Sequence, residues 1–106
     1  LAAAQHIAHM GSWERNILTG ESHWSDETYR IFGLPPQSAK VSYDTFLNGV
    51  HPGDRERVKR LNQEALYQGN TVDFEHRVVR PDGSLRVAIN SGAFLGHEPP
   101  VLDGTR

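Results

Sequence analysis

The sequence predicts an α+β domain in which helices gather on one side of an antiparallel sheet. Two segments of period-2 alternation, a run of helical segments, and two more period-2 segments follow in that order along 106 residues. A chain of this length supports one core and is too short for two. The most informative stretch joins a helical apolar spacing over Pro52 to Gln68 directly to a strand alternation over Val72 to Val78.

The elements follow in order. Leu1 to Met10 has high helix propensity, with Leu1, Ala4, Ile7 and Ala8 on one apolar stripe and Gly11 as the stop. This predicts a short amphipathic flanking helix over residues 1–10, with the domain proper over 11–106. Ser12 to Leu18 reads as a strand, Thr19-Gly20 as a hairpin turn, and Glu21 to Trp24 as the returning strand. Ser25 caps a helix over Asp26 to Phe32, where Asp26 and Glu27 sit near the positive end of the dipole. Gly33 ends it, and Pro35-Pro36 forbids continuation. Ser42 caps a second short helix, Tyr43 to Asn48, turning Tyr43, Phe46, Leu47 and Val50 inward.

Pro52 suits the first helical position, because its missing N–H would be unpaired there anyway. The long helix runs to Gln68, with Val58, Leu61, Ala65 and Leu66 as the buried stripe and Gly69 as the stop. Arg55, Glu56, Arg57, Lys59, Arg60 and Glu64 make a mostly solvated face. Val72, Phe74, His76 and Val78 alternate with Asp73, Glu75 and Arg77, and Pro81-Asp82-Gly83-Ser84 supplies a turn in which glycine accepts positive φ. Leu85 to Leu95 is the partner strand, with Val87, Ile89, Ser91 and Ala93 on one face. From Val101 the sequence reads as a last strand, cut short.

Composition narrows the function. The 13 acidic and 11 basic residues give a formal charge of −2 and are interspersed, so no basic field exists to hold nucleic acid. The absence of cysteine excludes disulfides, thiolate metal sites and cysteine photochemistry, and fits a reducing cytoplasm. There is no apolar run of spanning length and no signal segment, so a soluble cytoplasmic domain without membrane contact is expected. A start at Leu1 and an end at Gly104-Thr105-Arg106 read as a piece of a longer protein. The motifs of zinc proteases, serine hydrolases, P-loop enzymes and dinucleotide-binding domains are all missing. Asp54 and Glu56, like Asp26 and Glu27, are read as first-turn helix charges, and no enzyme activity is expected.

G-S-W-E at Gly11, W-S-D-E-T-Y-R-I-F-G-L at Trp24, F-L-N-G-V-H-P-G-D-R at Phe46 and F-E-H-R-V-V-R-P-D-G-S at Phe74, in this order and spacing, resemble a PAS domain of the fold-3 subfamily. The likeness runs from about Ala8 to Arg106. It implies a five-stranded antiparallel sheet with helices on one face, enclosing a cavity in ligand-binding members. It also implies a sensory and relay module cut from a bacterial signalling protein, such as a sensor histidine kinase or diguanylate cyclase, that binds a small ligand or a partner domain and biases a downstream effector domain. Two positions depart from the subfamily: Val87 stands where an aromatic is common after the arginine of the fourth strand, and Gly53 where an acid usually follows His-Pro.

Six histidines raise the question of a metal or haem. His6 and His9 could share a helix face but have no third ligand, His23 and His97 have no grouped partners, and His51 stands at the start of the long helix. Haem-binding relatives usually place their histidine within the long helix, which here has none. No metal and no cofactor are expected. His76 shares the inward face with Phe74, so it is either a polar contact for a cavity ligand or a core histidine bonded to a neighbour. The cavity candidates are Phe32, Phe46, Phe74, His76, Ile89 and Ser91. A core filled by Phe32, Phe46, Phe74 and Leu66 would instead mark a cofactor-free dimerisation or docking module. Leu1, Ala4, Ile7 and Ala8 are the candidates for a weak homodimer, since so short a helix needs something to pack on.

Overall fold

A mixed sheet of four strands, ordered second, first, fourth, third by their place in the chain, carries three helices on one face. The structure, a computed structural model, describes residues 8–68 and 71–96. The strands are β1 (Ala8–Asn16), β2 (Ser22–Trp24), β3 (Val72–Val79) and β4 (Leu85–Leu95). The helices are α1 (Asp26–Ile31), α2 (Tyr43–Gly49) and α3 (Arg55–Gln68), the last entered through a 3₁₀ turn, Pro52–Asp54.

Local chemistry sets these boundaries. Ser25 Oγ accepts from Thr28 N at 3.3 Å and so caps α1. Ser42 and Thr45 form a reciprocal capping box on α2, each side chain accepting from the other's backbone N–H. At the 3₁₀ turn the His51 ring acts as the cap, its Nδ1 accepting from Gly53 N at 2.9 Å. Gly33, after α1, and Gly83, in the β3–β4 turn, take φ of +81° and +86°, which a side chain would resist.

β1 pairs antiparallel with β2, placing Trp13 opposite Trp24, and β4 pairs antiparallel with β3. The central β1–β4 pair is parallel over nine residues, from Ala8 opposite Val87 to Asn16 opposite Leu95. An all-antiparallel sheet was expected. Alternation reveals a strand and its faces but not its partner, and the long excursion through β2 and the helices is the crossover a parallel pair requires. The expected fifth strand, from Val101, lies outside the described residues.

The N-terminal helix is corrected in part. Residues 1–7, with Leu1, Ala4 and Ile7, lie outside the described residues, but Ala8 to Met10 belong to β1, and Gly11 sits inside the strand rather than ending a helix. A three-residue stretch of good helix formers gains little as a helix end, whereas the ladder to β4 pairs its backbone groups.

The core lies between the sheet and the helices. Trp13, Trp24, Tyr29, Ile31, Phe32, Phe46, Val50, Val58, Phe74, Val78, Ala88 and Phe94 are all buried. Of the predicted α3 stripe, Val58 and Ala65 are buried, while Leu61 and Leu66 are half-buried; Asn62 takes a buried place no apolar pattern would give it.

Candidate functional site

His76 stands at the centre of the core. β3 turns it toward the helices, where only 1% of its surface stays exposed, and rings wall it on three sides. Phe46 meets it edge-on at 5.4 Å between centroids, Phe74 lies at 5.6 Å and Phe32 at 6.3 Å. Among the described residues its side-chain hydrogen-bond partner is Asn90 of β4, a fully buried residue whose Nδ2 lies 2.7 Å from His76 Nε2.

This pair fixes the proton. With Asn90 Nδ2 donating, Nε2 must be the acceptor, and the imidazole proton sits on Nδ1, which donates to the Arg77 carbonyl at 3.3 Å. Burial pushes the His76 pKa below its ordinary value, against the opposing pull of the Arg77 carbonyl and the Asp54 charge, so the ring is neutral at pH 7. Asn90 Oδ1 is buried with no partner among the described residues.

The sequence-predicted site residues divide. Phe32, Phe46, Phe74 and His76 converge as expected. Ile89 and Ser91 do not: on β4 they lie opposite Glu75 and Asp73, so both point away from the helices, and Ser91 bonds Asp73 on the outer face. The inward set is Ala88, Asn90, Gly92 and Phe94. Small side chains are needed there because Trp13 and the His76 cage fill the space above, and the Trp13 indole lies against Gly92.

Among the described residues the interior is closely packed. The space bounded by Trp13, Trp24, Tyr43 and Phe46 holds only about 10 Å³, room for a single water at most. Phe32 and Phe46 meet at 5.5 Å, Trp13 and Phe46 at 5.7 Å, and Trp13 and Phe94 edge-on at 5.4 Å. Among the described residues, no three His, Asp or Glu side chains converge to hold a metal ion.

Asp54 was missed as an anchor. Its carboxylate accepts from Arg77 Nη2 (2.9 Å), Nε (3.1 Å) and backbone N (2.8 Å), clamping the start of α3 to β3. These bonds, the guanidinium's first, hold its pKa well below the usual carboxylate range against some burial. A helix followed at once by a returning strand brings the start of one beside the end of the other. Opposite charges at those two ends are the signal that could have found the pair.

Residues 21–103 match the family described as the PAS fold. The chain belongs to that family. A blue-light-activated histidine kinase of Brucella anthropi is 35% identical over 97 residues, covering 91% of this chain and 20% of the relative. The sensor protein FixL of Bradyrhizobium diazoefficiens is 33% identical over 69 residues, 65% of this chain and 14% of that one. The PAS domain thus spans a fifth or less of the length of these curated relatives and is homologous to a segment of signalling sensors. The solved structure of an RNA-binding light-oxygen-voltage receptor aligns over 67% of this chain and 20% of its own, with a TM-score of 0.56 and 24% identity, a likeness of fold alone. Among the described residues no helix is long and apolar enough to cross a membrane.

The buried imidazole carries a pH dependence. A histidine whose folded pKa is lowered contributes stability that is present above its unfolded value, about 6.5, and lost as pH falls below it, because the unfolded chain takes up the proton first. Melting temperature should therefore fall between about pH 7.5 and 5, and His76→Gln should flatten that slope. An unchanged slope in the variant would show that His76 is not the group responsible.

Proposed function

We propose that this PAS domain is a cytoplasmic, non-catalytic relay that holds no internal cofactor and acts through its surfaces on an effector domain of a longer signalling protein, of the histidine kinase or diguanylate cyclase type. The observation that carries this is the close packing around His76: Phe32, Phe46, Phe74 and Asn90 close on its ring, whereas a small-molecule site of ordinary size requires about 300 Å³ or more.

The outer sheet face supports action by contact. Met10 is 69% exposed there, beside the half-buried Val87 and Ile89, with Leu85 at the strand's start 54% exposed. Having valine rather than an aromatic at position 87 leaves that face low enough for a helix or a second copy to lie on it. Weak self-association through this face belongs to the proposal. A signal shifts the domain only by its differential affinity for two states, and here the difference resides in what covers the sheet.

A chimera placing this chain before a histidine kinase effector tests the reading. Ile89→Glu should change autophosphorylation several-fold with the melting temperature nearly unchanged, because the side chain lies outside the core. Kinase output indifferent to substitutions across the outer face would contradict relay by contact.

A further inference from the structure

A second surface is better defined chemically than the sheet face. Where the end of α1, the end of α2 and the β3–β4 turn meet, an open groove of about 470 Å³ is floored by Phe32, Leu34, Val79 and Pro81 and flanked by Arg55 and Arg80. Both arginines are held in place by helix ends. Arg80 donates from Nη2 to the Arg30 carbonyl (2.7 Å) and from Nε to that of Ile31 (3.1 Å), at the close of α1. Arg55 donates from Nε to the Val50 carbonyl (3.0 Å) and from Nη2 to that of Asn48 (3.1 Å), at the close of α2.

Those bonds use only part of each guanidinium fork, so donors remain for a ligand. Neither arginine forms an ion pair with a carboxylate among the described residues. No acidic side chain lines the groove, so two positive charges stand at its rims on a chain whose formal charge is −2, with the Asp82 carboxylate near Arg80 only from the adjoining turn. Guanidiniums already fixed by backbone carbonyls lose little freedom on meeting a carboxylate, which favours a carboxylate partner at both rims.

We infer that this groove docks an acidic peptide segment of a partner domain, an apolar side chain lying over Phe32 and Pro81 with carboxylates on Arg55 and Arg80. An open trough leaves a small acid half in water, whereas a peptide gains from several anchors at once. The inference rests on the reading of the domain as a relay that acts by surface contact, and it names the chemistry of one such contact.

Fluorescence anisotropy tests it on this chain, using a labelled peptide with two leucines flanked by glutamates and the same peptide with lysines instead. The acidic peptide should bind saturably and about tenfold or more tighter than its lysine counterpart, and raised salt should weaken it. Replacing the arginines would also uncap α1 and α2. The informative variants are Pro81→Glu and Asn48→Glu, at exposed positions that keep both capping contacts and place a repelling carboxylate in the groove. Each should weaken the acidic peptide about tenfold, a difference of about 1.4 kcal/mol, with the melting temperature nearly unchanged. Equal binding of the two peptides, or full affinity in both variants, would overturn the inference. Self-association abolished by Pro81→Glu without any peptide would give the groove to a second copy and overturn it too. A failed peptide assay leaves the chimera's response to Ile89→Glu as it was, so failure of the groove and failure of the relay reading are told apart.

Discussion

Phe46→Ala should lower stability by about 3–5 kcal/mol in urea unfolding, the range for removing a large ring from a core that cannot collapse onto the gap. The ring touches the whole interior at once: Trp13, Phe32, Tyr43 and His76 lie between 5.4 and 6.4 Å of it, centroid to centroid. These partners come from β1, the end of α1, α2 and β3, held in fixed register, so few can move in. The variant should also bind a small apolar probe such as benzene, raising its melting temperature, whereas wild type should not respond. A loss below about 1 kcal/mol, or an equal response of wild type to benzene, would show that the interior is looser than the ring contacts indicate.

Gly92→Ala should cost about 3 kcal/mol, the upper part of the usual range for overpacking. A Cβ at this position would enter the Trp13 indole. Neither side can yield, because Trp13 and Gly92 are opposite each other in the parallel pairing of the two central strands, and moving one strand breaks a nine-residue ladder. Replacing the indole by a smaller side chain should recover part of the loss, so Trp13→Leu with Gly92→Ala should be less destabilised than the two single changes sum to. Strict additivity would place the strain elsewhere. The pair also tests the unexpected parallel pairing, since antiparallel neighbours in another register would not set these residues face to face.

Much of this domain was legible in its sequence. Ser25, Ser42 and Pro52 marked helix starts because caps and proline act locally, and Phe74, His76 and Val78 announced their inward face by alternating with charges. β4 was legible as a strand but not as to face. Val87 and Ile89 are its largest aliphatic residues apart from its end leucines, and hydrophobicity alone turns them inward. The structure turns Ala88, Asn90 and Gly92 inward instead, because what matters in the middle of the sheet is the room left beneath Trp13 and His76. Ser91 fell from the predicted cavity for that reason, and Asn90, the true partner of His76, was overlooked as a polar residue of the alternate face. Arg55 was read as solvated and instead caps α2, a contact between elements that spacing within one helix does not reveal.

The central claim is that the space between sheet and helices is filled by the chain itself. Native mass spectrometry of gently purified protein, with an absorption spectrum of the same sample, tests it most directly. The account predicts the mass of the bare chain, or of a simple multiple of it, and no absorption band between about 350 and 450 nm, the region where haem and flavin would show. A stoichiometric small-molecule adduct released on unfolding, or a band in that region, would contradict it.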